Sequence, residues 1–257
     1  MVDRNAVERC FANFLGYGNP NGRYWFIGTE EGGAEIWRKG VAKLSLKESL
    51  DLRAGFSVAM DFRKVWEDTY GIKLDKFQGP SVWRYIAAFL LFSEGITVPS
   101  GSKQDIKNAV DEFVFKKKHL GSPRGDHFLC ELFPLPKKAK NSIEPYSKIW
   151  PGGIKAYHSE LLPKRIELIR RTILTNGRVK FLITYDRTVW EEMQRGADFR
   201  FVPERGIHLK SERLCKLSRI VVDGRELLFV RTPFFGNGRI SYFDLAEVSR
   251  QLKAYGA

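Results

Sequence analysis

Short apolar runs that end in loops rich in glycine, proline or charge constrain this chain more than any other feature. They lie at residues 24–28, 127–132 and 226–231, and a related run lies at 179–184. Aromatic and β-branched runs bounded by turn residues are typical of buried strands. The segments between them carry apolar residues at helical spacing, so the sequence predicts an α/β protein.

The same periodicity locates the helices. We predict helices at residues 5–15, 57–69, 103–118, 157–174 and 242–253, after Gln78-Gly79-Pro80, and through Trp190. In the helix after Pro80, Trp83 and Arg84 either pack in the core or face a ligand. Asp223-Gly224 predicts a hairpin between 219–222 and 226–231. We expect one domain over residues 1–257, with three α/β/α layers and a central, mostly parallel β-sheet.

The charge of the chain indicates its partner. Lys and Arg number 43 against 30 Asp and Glu, so the formal net charge is +13. Such an excess is the electrostatic footprint of a protein that binds a polyanion, and nucleic acid is the first candidate. Binding to acidic lipid, or a charge that serves solubility alone, are the alternatives.

Several classes of protein are not indicated. No apolar run reaches 18 residues and the N-terminal segment is highly charged, so we expect a cytoplasmic protein without a membrane partner. The three cysteines and four histidines lack the spacing of a metal site. No phosphate-binding P-loop or dinucleotide fingerprint follows a strand. We therefore expect no metal and no cofactor. We also expect a monomer.

The loop after the first run, GTEEGG at 28–33, places Glu30 and Glu31 where a predicted strand ends. Ligands of open α/β sheets bind beyond the carboxyl ends of strands, and glycine lets the backbone approach a ligand closely. The loop is therefore a candidate site, and the alternative is a solvated turn that contains two glutamates.

The loops after the second and third runs are also unusual. ELFPLPKK at 131–138 joins an acid, an aromatic residue and prolines to Lys137, Lys138 and Lys140. RTPFFGNGR at 231–239 combines cations, two phenylalanines and glycines. The first of these loops either holds a base and a phosphate backbone or is a solvated surface loop.

In this order along the chain, the three loops resemble motifs of the uracil-DNA glycosylase superfamily. Asn19-Pro20, the WFIG strand and Glu-Glu-Gly are similar to the family's water-activating segment, and Thr232-Pro233 with Gly236-Asn237-Gly238 is similar to its DNA-intercalating loop. The resemblance implies a monofunctional DNA glycosylase that flips a base out of DNA and leaves an abasic site. Repair or defence against phage DNA is the implied setting.

The resemblance also implies roles for individual residues. Glu30 occupies the place of the water-activating residue, and Glu31 is the alternate. Glu131 stands where many relatives carry a base-reading Asn, and Phe133 is placed to stack on the base. Gly28 and Thr184 complete the implied base-binding set. A carboxyl at 131 pairs differently from an amide, which implies a damaged or modified base other than uracil.

The last loop departs from the family, because Thr232 replaces its histidine beside Arg231. A non-catalytic protein that binds DNA or a modified base is therefore the alternative function. Phe234 and Phe235 are implied wedges in the DNA, with core packing as the alternative. The remaining implied DNA contacts are Lys137, Lys138, Arg187, Asn237 and Arg239.

Overall fold

The computed structural model describes residues 2–75, 81–95, 102–139, 141–196 and 199–256. The segment Gln78-Gly79-Pro80 and Lys140 lie outside these ranges. One eight-stranded sheet organises the described residues. Its strands are β1 (Gly16–Gly18), β2 (Tyr24–Glu30), β3 (Ala59–Met60), β4 (His127–Phe133), β5 (Phe181–Thr184), β6 (Arg200–His208), β7 (Leu214–Val222) and β8 (Arg225–Arg231).

Helices occupy most of the connections between the strands. They are α1 (Arg4–Ala12), α2 (Ala34–Trp37), α3 (Leu46–Arg53), α4 (Phe62–Lys64), α5 (Ser81–Ser93), α6 (Lys103–Asp111), α7 (Gly153–Thr175), α8 (Arg187–Arg195) and α9 (Tyr242–Gly256). Val65–Thr69 and Glu112–Lys116 continue α4 and α6 as π-helical turns. No described helix is both long and apolar enough to cross a membrane.

The sheet is mixed, so the prediction of a mostly parallel sheet was wrong. Its order is β3-β1-β4-β2-β5-β8-β7-β6. The central strands β4, β2, β5 and β8 are parallel to one another. By contrast, β1 runs antiparallel to β4, and β6, β7 and β8 pair antiparallel. The predicted hairpin at Asp223-Gly224 is confirmed, and β6 extends it to a third antiparallel strand.

Apolar side chains cover both faces of the sheet. Along β2, Tyr24 and Phe26 belong to one buried cluster and Trp25 and Ile27 to the other. Successive strand residues point to opposite faces, so the two clusters lie on opposite sides of the sheet. The first cluster includes residues of α5, α6 and α9, and the second includes residues of α1, α7 and α8. This burial explains why β2 is an apolar run without alternation.

Two predicted helices give way to strands at one end. The first ends at Ala12 instead of residue 15, because the chain turns into β1. A Cβ at Gly16 would lie 1.9 Å from the Leu129 carbonyl oxygen, so glycine allows β1 to lie against β4. The helix predicted at 57–69 begins only at Phe62, since Ala59 and Met60 pair with β1.

Candidate functional site

A cavity of about 600 Å³ lies at the carboxyl ends of the central strands. Its wall includes Gly28–Gly33 after β2, Glu131 of β4, Tyr185 and Asp186 after β5, and Phe234 after β8. The chain continues from β2 to β3, which lies beyond β4 on one side of the sheet, whereas it continues from β5 to β6, which lies beyond β8 on the other side. The cavity therefore lies where the strand order reverses, the usual ligand crevice of an open α/β sheet.

Gly28 creates space for two polar groups at the floor of this cavity. It lies opposite Glu131 in the β2–β4 register. A Cβ at Gly28 would come within 2.5 Å of Glu131 Oε2 and 2.9 Å of the Tyr185 hydroxyl. A side chain at position 28 would therefore displace one or both groups. Gly28, predicted as a base-binding residue, thus lines the cavity and leaves room for Glu131 and Tyr185.

Glu131 is a carboxyl group that favours its protonated form. Burial raises its pKa well above the ordinary value, and the nearby Glu31, Glu30 and Asp186 carboxylates raise the pKa further. Its Oε2 has no hydrogen-bond partner among the described residues. A protonated carboxyl offers one O–H donor together with an acceptor oxygen. In its protonated form Glu131 therefore presents both to the cavity.

The buried cation that hydrogen-bonds to the backbone of Glu131 does not form an ion pair with its carboxyl group. Arg165 is buried and donates hydrogen bonds to the carbonyl oxygens of Glu131 and Leu132, at 2.8 and 3.0 Å. It also donates to the carbonyl oxygens of Phe11 and Phe14. Arg165 thus ties α7 to β4 and to the segment after α1.

Glu30 is a carboxylate that is held by a buried cation. Its side chain is 5% exposed, and Lys137 Nζ lies 2.8 Å from its Oε2. His158 Nε2 lies 3.9 Å from the other oxygen, Oε1. Neither Oε1 nor His158 Nε2 has a hydrogen-bond partner among the described residues. Glu30 therefore lies at the cavity wall with one oxygen paired to a cation and the other available.

Glu31 belongs to a different ion-pair network. It pairs with Arg53 of α3, and Arg53 Nη2 also lies 2.8 Å from Glu35 Oε1. Ser49 donates to the same Glu35 oxygen at 2.9 Å. Burial raises the pKa of Glu31, and the adjacent Arg53 guanidinium opposes that shift. This network fixes the 31–35 segment on α3.

The structure does not bring Thr232 and Thr184 into the cavity. The Thr232 hydroxyl is buried and donates to the Pro233 carbonyl oxygen at 3.0 Å. The Thr184 hydroxyl donates to the Ile27 carbonyl oxygen at 2.9 Å and accepts from the Asp186 N–H at 3.1 Å. Both hydroxyls are engaged with backbone groups. The roles implied for them by the family resemblance are therefore not supported by their positions.

Phe133 and Phe235 are core residues, as the alternative interpretation of Phe235 held. Phe133 is 0% exposed, and its ring stacks on His158 with centroids 4.1 Å apart. Phe235 is also 0% exposed and stacks on Tyr185 at 4.8 Å. Neither ring faces the cavity, so Phe133 does not offer a stacking surface for a base and Phe235 is not an exposed wedge.

Phe234 lies differently, because 41% of its surface is exposed and it lines the cavity. Lys138 is exposed and also lines the cavity, whereas Lys137 is buried against Glu30 and is not a surface cation. Arg187 is exposed and pairs with Glu191 at 2.6 Å. The remaining residues of the predicted DNA surface lie in or beside the loop after β8, where Asn237 and Arg239 are exposed and Arg231 is half-buried.

Several residues of the site were not predicted from the sequence. Tyr185 forms part of the floor, and Trp37 and Trp66 add aromatic surface to the wall. Trp83, for which the sequence left the core and a ligand as alternatives, lines the cavity and also packs against Phe62 and Trp66. Arg53 pairs with Glu31, and His158 Nε2 lies 3.9 Å from Glu30 Oε1. The sequence signal for Trp37 and Trp66 is the long segment between 34 and 80 that contains them.

Comparisons with known proteins give no relative: no family model, no curated protein and no solved structure matches this chain. Among the described residues, no group of three or more His, Cys, Asp or Glu side chains could hold a metal ion.

Proposed function

We propose that this protein is a DNA glycosylase of uracil-DNA glycosylase-like fold that removes a damaged or modified base other than uracil. The observation that carries the proposal is the pair of carboxyl groups in unlike surroundings in one cavity: Glu131, whose pKa is raised by burial, and Glu30, which is paired with Lys137. Pairs of carboxyl groups in contrasting environments perform acid and base roles in glycoside hydrolysis. An abasic site is the expected product.

The two groups supply the chemistry that an N-glycosidic bond needs. Glu131 donates its proton to the departing base while the electron pair of the C1′–N bond moves to that base. The sugar becomes an oxocarbenium-like cation, which the Glu30 carboxylate stabilises. A water molecule then bonds to C1′ and gives a proton to Glu30. That proton returns to Glu131 through solvent after the products leave.

Aromatic side chains give the cavity a base-sized apolar wall. Phe234, Tyr185 and Trp83 take the stacking role that the resemblance assigned to Phe133. The volume of about 600 Å³ lies within the usual range for small-molecule pockets. A flipped nucleotide needs both a π surface and polar groups at its edge, and this wall and floor offer the two together.

The partner is DNA, and its phosphates meet an overall charge of +13. Lys138 and Arg38 are exposed cations that line the cavity. Removal of a modified base from DNA suits either repair or defence against phage DNA.

A second candidate function is non-catalytic binding of DNA or a modified base by the same fold. The position of Thr232 favours it, because this residue replaces the family's histidine and its hydroxyl is bonded to the Pro233 carbonyl oxygen. A binding protein would retain the aromatic wall and Glu131 and would release no base.

Product analysis separates the two functions. DNA from genomes and phages with their modifications intact is incubated with the protein, and freed bases are identified by liquid chromatography and mass spectrometry. We expect base release by the wild type and none by Glu30→Gln, with DNA affinity retained. Glu226→Gln changes an exposed carboxylate and serves as the matched control. Base release by Glu30→Gln at the wild-type rate would exclude Glu30 as the catalyst, and binding without any release would favour the second function.

A further inference from the structure

A row of cations crosses the end of the sheet beside the loop after β8. It consists of Lys210, Arg213, Lys216, Arg231 and Arg239, and we name it the hairpin ridge. All but Arg231 are exposed, and Arg231 is half-buried. Lys210 and Arg213 belong to the β6–β7 turn, in which the Leu209 N–H donates to the Arg213 carbonyl oxygen at 2.8 Å. The ridge therefore combines the antiparallel extension of the sheet with the last loop.

Contacts of the described residues hold these cations together. Lys216 lies directly opposite Arg231 in the β7–β8 register, so their side chains leave the same face of the sheet. Arg213 Nη1 donates to the Gly238 carbonyl oxygen at 3.1 Å and also to that of Arg239. The turn is thereby fixed to the loop after β8, and the ridge is an ordered surface.

The ridge retains a positive excess after nearby acids are counted. None of its five cations forms an ion pair with another described residue. Of the acids beside it, Asp244 is buried and accepts from the N–H groups of Ser211 and Ser241. Glu247 pairs with Arg250, and Glu191, which lies near Arg231, pairs with Arg187. Glu212 is the exposed acid of the turn. The ridge therefore attracts anions.

The position of the ridge points to one class of polyanion. Arg239 is five residues from Phe234, which lines the cavity, so the two Cα atoms lie at most about 17 Å apart. That reach corresponds to about five base pairs of duplex. Arg231 faces the α8 side of the sheet, 6.0 Å from the Trp190 ring, whereas Ile240 beside Arg239 packs in the opposite cluster. A DNA strand can follow a surface that passes from one face of the sheet to the other, whereas a planar lipid surface meets only one face.

We propose that the hairpin ridge binds the phosphate backbone of the DNA that flanks the base held in the cavity. The inference rests on the proposed function, which places the DNA between the cavity and the ridge. It adds the β6–β7 hairpin to the DNA-binding surface. Each Lys or Arg at a phosphate displaces counterions, so the ridge contributes to the salt dependence of affinity.

The double variant Lys216→Gln/Arg239→Gln tests the ridge, because neither side chain makes a hydrogen bond or an ion pair with another described residue. Affinity for a fluorescein-labelled duplex of unmodified sequence is measured by anisotropy over roughly 50–200 mM salt. We expect weaker binding and a log–log salt slope shallower by about 1.8, or by about 1.4 for a single strand. Lys103→Gln/Lys107→Gln in α6 removes the same charge and is expected to retain the wild-type slope.

The salt slopes and the vesicle measurement decide whether the hairpin ridge binds DNA. A slope equal to the wild type, or an equal change in the α6 variant, would overturn the proposal. Stronger ridge-dependent binding to phosphatidylserine vesicles than to DNA would also overturn it. The base-release assay is read separately: ridge-dependent DNA binding without base release would keep the ridge and remove the glycosylase. Base release with an unchanged salt slope would keep the glycosylase and remove the ridge.

Discussion

At the residue scale, the Glu131 carboxyl links the site to stability. Its pKa is raised in the folded protein, so the folded state binds this proton above the pH at which an unfolded glutamate releases it. Because the folded state keeps Glu131 protonated, the free energy of unfolding falls as the pH rises above that point. We expect Glu131→Gln to be increasingly stabilising above about pH 4.3, by at most about 1.4 kcal/mol per pH unit. Urea unfolding of both proteins across pH checks this, and a pH-independent difference would contradict it.

Gly28 is the second residue whose role is local. The 2.5 Å approach of an added Cβ to Glu131 Oε2 falls on the end of a side chain, so the fold can adapt while the carboxyl moves. We expect Gly28→Ala to lower base release by at least tenfold, because a displacement of about 1 Å at a reacting group costs about two orders of magnitude. Melting temperature and DNA affinity are expected to stay near the wild type. Gly32→Ala, which meets no atom within 4 Å, is the control.

At the scale of elements, α3 stabilises the loop that carries both glutamates. Arg53 is 1% exposed and bridges Glu31 and Glu35. Removal of one partner from a buried ion pair leaves uncompensated charge, so Arg53→Leu is expected to cost about 3–5 kcal/mol of unfolding free energy. The triple variant with Glu31→Gln and Glu35→Gln is expected to recover most of that loss. Chemical denaturation measures both, and equal losses in the two variants would exclude charge as the cause.

The central strands were predictable because their chemistry is local. Tyr24–Ile27 is apolar on both faces, as a strand buried between two helical layers must be. β1 was missed because Gly16–Gly18 reads as a turn, and only the position of Leu129 explains its glycine. β6 was missed because Pro203 and Gly206 interrupt it and most of its residues are exposed.

The candidate site, like the fold, was predictable from the sequence only in part. The carboxyl end of β2 and the loop after β8 were identified from residue type, whereas side-chain direction was not. Phe133 follows Glu131 by two residues and lies against His158, a partner supplied by a distant helix. Lys137 reads as a solvated cation, and its pairing with Glu30 depends on the path of the loop after β4. Such pairings between distant segments leave no local signal.

At the scale of the whole molecule, the sheet combines a buried parallel centre with an exposed antiparallel margin. β5 lies between two partner strands and is buried at every residue. β6 pairs with β7 alone, and its register shifts between Glu204 and Ile207. Local opening is easiest where few apolar contacts form. The proposed DNA surface thus includes part of the margin, where fewer residues are buried, and the cavity lies over the buried centre.

This difference predicts the order of amide hydrogen exchange. We expect peptides covering β6 to exchange well before those covering β5 at neutral pH, because β6 opens without disturbing the central strands. Mass spectrometry of exchange over time measures the two regions in one sample. If DNA lies across the hairpin ridge, added duplex should slow exchange in the β6–β7 turn and leave β5 unchanged. Equal protection of β6 and β5 in the free protein would show instead that the margin is as stable as the centre, and that the antiparallel strands unfold only with the whole sheet.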